Sequence, residues 1–157
     1  MSEQKPRSIW STYRREIVVA LIIIVLFTLF AGRGRQQGVE FQFEESQMTI
    51  IGPSGAPEPV VVDYADIRSI SHCTGLELGD CESGLDTASC RFGTWRSDEL
   101  GRYALCALPS VSEYVVLETA QRTVVFNYED DDATAHLYTA LLELLESKGV
   151  EVSANAG

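Results

Sequence analysis

The chain has 157 residues, with 12 Lys and Arg against 23 Asp and Glu and a formal net charge of −11, enough for one core once a membrane segment is set aside. The charge is unevenly divided: residues 1–36 hold six bases and two acids, residues 37–157 six bases and twenty-one acids. So acidic a domain repels phosphate backbones and anionic headgroups, which argues against nucleic acid and against a phosphoinositide as partners.

Residues 1–16 form a basic lead. An uncharged apolar run, IVVALIIIVLFTLFA, begins at Ile17 and ends at Ala31. As a helix it spans about 22 Å, less than the roughly 30 Å hydrocarbon core of a bilayer. Its flanks extend it: Trp10 and Tyr13 suit the headgroup level, and Arg14, Arg15, Arg33 and Arg35 can snorkel outward. A cleaved signal peptide is the rival, but Leu29 or Phe30 would occupy the −3 position where a small residue is needed. The run therefore reads as a single-pass transmembrane helix. The excess of Lys and Arg before it keeps the N-terminus inside the cell and sends the domain outside.

Residues 32–38, GRGRQQG, read as a flexible linker. The polar domain, residues 39–148, begins with strand patterns VEFQF and MTII, followed by the loop GPSGAPEP. Val60 to Val62 and then YADIRSISHC are extended around a brief turn. TGLELGDCESGLDTAS, rich in Gly, Ser and Asp, reads as a loop. A hairpin centred on Asp98 and the paired runs EYVVLET and RTVVFNY follow, the last two being the strongest strand signals. The period then changes. Asp131 or Asp132 can cap a helix that buries Leu137, Leu141, Leu144 and Leu145, carries Tyr138 at the edge of that face, and stops at Gly149. The tail, residues 149–157, reads as loose.

Cys73, Cys81, Cys90 and Cys106 all lie in this domain. An even number in a translocated domain suggests disulfides. A hairpin centred on Asp98 sets Cys90 opposite Cys106, leaving Cys73 and Cys81 to close a small loop. Four free thiols are expected if the domain is cytoplasmic. Zinc is a further alternative, although no C-x₂-C pair is present and His72 directly adjoins Cys73.

No catalytic constellation emerges. His136 falls on the helix, and Ser54 lacks the G-x-S-x-G frame of a nucleophile turn. The acids at 129–132 lack the alternating oxygen spacing of a calcium loop and suit the positive end of a helix dipole. No cofactor motif is present.

The strand-turn VVVDYADIRSI, the hairpin FGTWRSDELGRYAL, the pair YVVLETAQRTVVFN and the helix start DDATAHLYTALLELL resemble the small bacterial PH-like domains. The resemblance implies a mainly β fold, a bent barrel or sheet of roughly seven strands capped by a C-terminal α-helix. It does not import lipid binding, because GPSGAPEP carries Glu58 and no base, and Arg96 and Arg102 flank Asp98 and Glu99 as solvated surface charges. The expected function is non-enzymatic: a cell-membrane protein presenting the domain to a protein partner, at exposed strand edges or beside the helix. A cytoplasmic-facing sensor or assembly subunit is the second reading, and a metal-dependent hydrolase using His72 is the third.

Overall fold

The computed structural model describes residues 19, 21–23 and 38–156. The chain is mainly β, with one long helix near its C-terminus. Three strands, β1 (Glu40–Phe43), β2 (Gln47–Ile51) and β3 (Val60–Asp63), form an antiparallel sheet in that order. Their two-residue period explains the placement: Phe41, Met48, Ile50, Val60 and Val62 are buried, while Glu40, Gln42, Val61 and Asp63 face out.

A single 3-10 turn at Tyr64–Asp66 leads into β4 (Ile67–Thr74) and a second, larger sheet. It also contains β5 (Asp80–Asp86), β6 (Arg91–Ser97), β7 (Gly101–Ala107), β8 (Glu113–Thr119), β9 (Thr123–Phe126) and β10 (Ser153–Ala156), in the order β10-β4-β8-β9-β7-β6-β5. Pairing is antiparallel except for β7 with β9 and β10 with β4. Both sheets are open, so the expected bent barrel reduces to open sheets capped by a helix.

Three local expectations change. Residues 80–86, read as loop, form β5; the segment DCESGLD has weak strand propensity, and β6 supplies the ladder that holds it. The tail expected to be loose contributes β10, paired parallel with β4 from Ser153 opposite Ser69 to Ala156 opposite His72. The hairpin turns on Glu99 instead of Asp98, because Ser97 pairs with Gly101 and the Ser97 Oγ accepts from the Leu100 amide. That places Phe92, not Cys90, opposite Cys106.

The order of the large sheet forces it to curl. In a flat sheet β4 and β5 would stand about 24 Å apart, five strand spacings. The connection from Thr74 to Asp80 reaches only about 20 Å when fully extended. It therefore crosses one face of the sheet, where Leu78 is buried and the Tyr103 hydroxyl donates to the Leu78 carbonyl at 2.5 Å.

The central strands are consequently buried on both sides. Ala104 and Cys106 of β7, Val115 and Leu117 of β8, and Val124 and Phe126 of β9 join a first core with the small sheet and the helix. Their neighbours Tyr103, Leu105, Ala107, Tyr114, Val116 and Val125 form a second core with Leu78 and Trp95. Near-continuous apolar runs in these strands follow from that double burial.

The helix α1 (Asp131–Ser147) closes the first core with Leu137, Leu141, Leu144 and Leu145. Its N-cap is Asp130, whose side chain accepts from the Ala133 amide at 2.7 Å, and not Asp131 or Asp132. Asp131 is engaged elsewhere: its carboxylate accepts from the amides of Ser112 and Glu113 and from the Ser112 hydroxyl, fastening the helix to the start of β8. Gly149, at φ 69°, ends the helix as expected.

Among the described residues no helix is long and apolar enough to cross a membrane. The expected anchor at 17–31, its basic lead and most of the linker lie outside those residues. The exceptions in the run are residues 19 and 21–23, of which Val19, Ile22 and Ile23 are half-buried against the first core while Leu21 is exposed.

Candidate functional site

The four cysteines are free thiols, divided between the two cores. Cys90 and Cys106 are buried together in the first core, and burial pushes both thiols above their ordinary range. Cys73 and Cys81 are half-buried against the second core at the two ends of the crossing loop. Desolvation, with a smaller contribution from Glu99, also raises Cys73. A raised thiol is protonated and a poor nucleophile, so Cys73, Cys90 and Cys106 are not activated for covalent catalysis.

His72 lies on β4, where its Nε2 is 2.7 Å from Glu113 Oε2 on the adjacent β8 and its ring stacks on Tyr138 of α1 with centroids 5.4 Å apart. The pair joins two strands to the helix. Its surroundings offer one carboxylate, and among the described residues no three His, Cys, Asp or Glu side chains converge in a way that could hold a metal ion. His136 is exposed on α1, and Ser54 is exposed in the loop after β2.

Arg96 and Arg102 are more organised than solvated charges. Directly opposite one another in the β6–β7 ladder, they would repel; Glu82 of β5 receives both, with Arg102 Nε at 2.8 Å. The Arg96 guanidinium, with that of Arg102, holds the Glu82 carboxyl below the usual carboxylate range. Being exposed, both pairs are screened by solvent and add little to stability. Glu82 sits at a register shift between Cys81 and Ser83, which turns its side chain onto the arginines.

Beside this cluster a shallow groove runs where the small sheet leaves the face of the large one uncovered. It comprises two adjoining cavities of about 370 and 230 Å³ that share Thr94, Ala104 and Arg122. Gly93, Thr94 and Ala104 form the floor, Pro57, Glu58 and Val60 one wall, and Arg102, Gln121 and Arg122 the other rim. Gly93 pairs with Gly84, at φ 141° and 133°, and the two strands approach closely there; a Cβ on Gly93 would lie 2.3 Å from the Ser83 carbonyl oxygen.

Neither the groove nor the Glu82 cluster is legible in the sequence, since five separate segments meet there. The one local hint is the Gly pair at 84 and 93. The strand edges differ in exposure. Bulging and the acids Asp80, Glu82 and Asp86 protect the β5 edge, while β10 covers β4. β3 is open, and its Val61, 47% exposed, is the one large hydrophobic side chain so exposed among residues 38–156.

No protein-family model matches the chain, and no curated protein or solved structure is detectably similar to it.

Proposed function

We propose that the chain is a single-pass membrane protein whose acidic, PH-like domain faces outward and serves as a non-catalytic protein-interaction module. The observation that carries the interaction reading is the unpaired edge of β3 with Val61 exposed upon it, since an unpaired edge strand with an exposed apolar side chain is a template for an incoming strand. Support for the anchor is the uncharged run at 17–31 with its flanking arginines. The order of strands followed by a capping helix supports the PH-like reading at the level of layout. In an oxidising compartment the division of the thiols between two cores favours pairing Cys90 with Cys106 and Cys73 with Cys81.

A second reading has its own observation. Val19, Ile22 and Ile23 are half-buried against the first core, as they would be if the apolar run covered the domain instead of entering a bilayer. Alkaline carbonate washing separates the two. Retention in the membrane pellet is expected, and release into the wash overturns the anchor. A photo-crosslinking residue at Val61 in intact cells is expected to give a discrete protein adduct that one at Asp86, on the bulged edge, does not. Absence of an adduct at Val61 overturns the interaction reading.

A further inference from the structure

We propose that the groove beside β3 is the docking site for an extended acidic segment of a protein partner, its main chain pairing with β3 and its carboxylates meeting Arg122 and Arg102. This rests on the interaction reading and names the partner chemistry. Residues 38–156 contain six basic side chains, and three of them, Arg96, Arg102 and Arg122, gather at this one corner. Of the other three, Arg91 pairs with Asp86, Lys148 donates to the Glu45 carbonyl, and Arg68 is exposed on β4. With twenty-one acids spread over the same domain, this corner, where three arginines outnumber Glu82 of β5 and Glu58 of the wall, is where an acidic segment meets least repulsion. Like charge excludes the wrong surfaces as opposite charge selects the right one.

The local geometry gives the recognition its form. Arg96 and Arg102 already hold one carboxylate, that of Glu82, between neighbouring strands. Arg122 lies across the groove from the Pro57–Val60 wall, is exposed, and has no ion-pair partner among the described residues. An incoming carboxylate beside Arg122 forms the charge-assisted contact that Glu82 makes with Arg102. Apart from Phe92, which is fully buried, the floor carries nothing larger than Thr94, so an extended chain can lie close to the main chain there. Val60 belongs both to the groove wall and to the open strand, which brings main-chain pairing and side-chain charge recognition within reach of one segment. The four residues of β3 offer about 13 Å of edge, room for a segment of about four residues.

The test uses the full chain in nanodiscs of zwitterionic phosphatidylcholine. The probes are two fluorescent eight-residue peptides, one alternating valine with glutamate and the other valine with lysine, read by anisotropy. The glutamate peptide is expected to bind, and Arg122→Glu to weaken it at least tenfold while the melting temperature stays unchanged. Thr94→Trp, which fills the floor without changing charge, is expected to weaken it comparably. Equal binding of the lysine peptide, or an affinity within twofold of wild type in both variants, overturns the groove. Absence of glutamate-peptide binding overturns it as well. A Val61 adduct in cells alongside any of those results leaves the interaction reading standing and removes only the acidic-groove assignment.

Discussion

The two faces of the large sheet are closed by different means. The first core lies under regular structure: the small sheet contributes Phe41, Met48 and Ile50, and α1 contributes four leucines. Phe41 packs on Phe126 and Tyr128 with ring centroids 5.3 and 5.6 Å away. A single loop covers the second core, held by Leu78, by the hydrogen bond from the Tyr103 hydroxyl to the Leu78 carbonyl and by that from the Gly75 amide to the Ser112 carbonyl. Among the described residues each face keeps one buried polar atom without a hydrogen-bond partner, the Tyr64 hydroxyl in the first core and Trp95 Nε1 in the second, and the second also holds two half-buried thiols. An amphipathic cover supplies many apolar contacts along its length, whereas a short loop supplies two or three. The second face is therefore the one expected to open first.

The largest effect that would sharpen this contrast is Phe126→Ala. Phe126 is fully buried in the first core, so truncation is expected to destabilise the fold by about 3–5 kcal/mol. Chemical denaturation measures it, and a loss below about 1 kcal/mol would mean that the first core is not the main support.

Gly79→Ala attacks the other cover. Gly79 has φ 71°, and a Cβ there would lie 2.0 Å from the Arg96 carbonyl oxygen, so the loop must shift. The left-handed backbone alone costs an alanine about 1–2 kcal/mol. Faster labelling of Cys73 and Cys81 is expected, with Cys90 and Cys106 as protected as before. Equal acceleration at all four would show that the two faces open together.

Asp131→Asn gives the smallest change and depends on pH. Hydrogen bonds from the amide and hydroxyl of Ser112 and the amide of Glu113 hold the Asp131 carboxyl below its ordinary range. A depressed carboxyl contributes stability that is fully present above about pH 4 and lost as pH falls through its folded-state value. The variant is expected to melt slightly below wild type at neutral pH, and the two curves to converge in acid. A gap that persists at pH 2 would assign the effect to something other than the charge.

The same contrast governs what could be read in advance. Strands β1 to β4, β8, β9 and the leucine face of α1 follow from local period, because each buries a regular set of side chains. β5 and β10 escaped, since DCESGLD and SANA carry few strand-forming side chains and exist as strands because a neighbouring strand offers its main chain. The hairpin register slipped by one turn residue, enough to move Phe92 into the place expected of Cys90. Asp130 took the cap because Asp131 had partners on β8, a choice among adjacent acids that only the docked helix could make.

The candidate site lay on the unreadable side of that division. Arg96 and Arg102 could be noticed in the sequence but not their shared carboxylate, since Glu82 comes from a strand that local pattern did not reveal. Arg122 was only the first residue of the run RTVVFNY until β9 paired with β7 in parallel and set it across from the loop before β3. From the residues alone came the apolar run, the division of charge, the mainly β domain and its closing helix, because hydrophobicity and period act locally. The two-faced core, the covered and open edges, and the gathering of three arginines in an acidic domain came from tertiary structure, because each depends on which distant strands share a ladder.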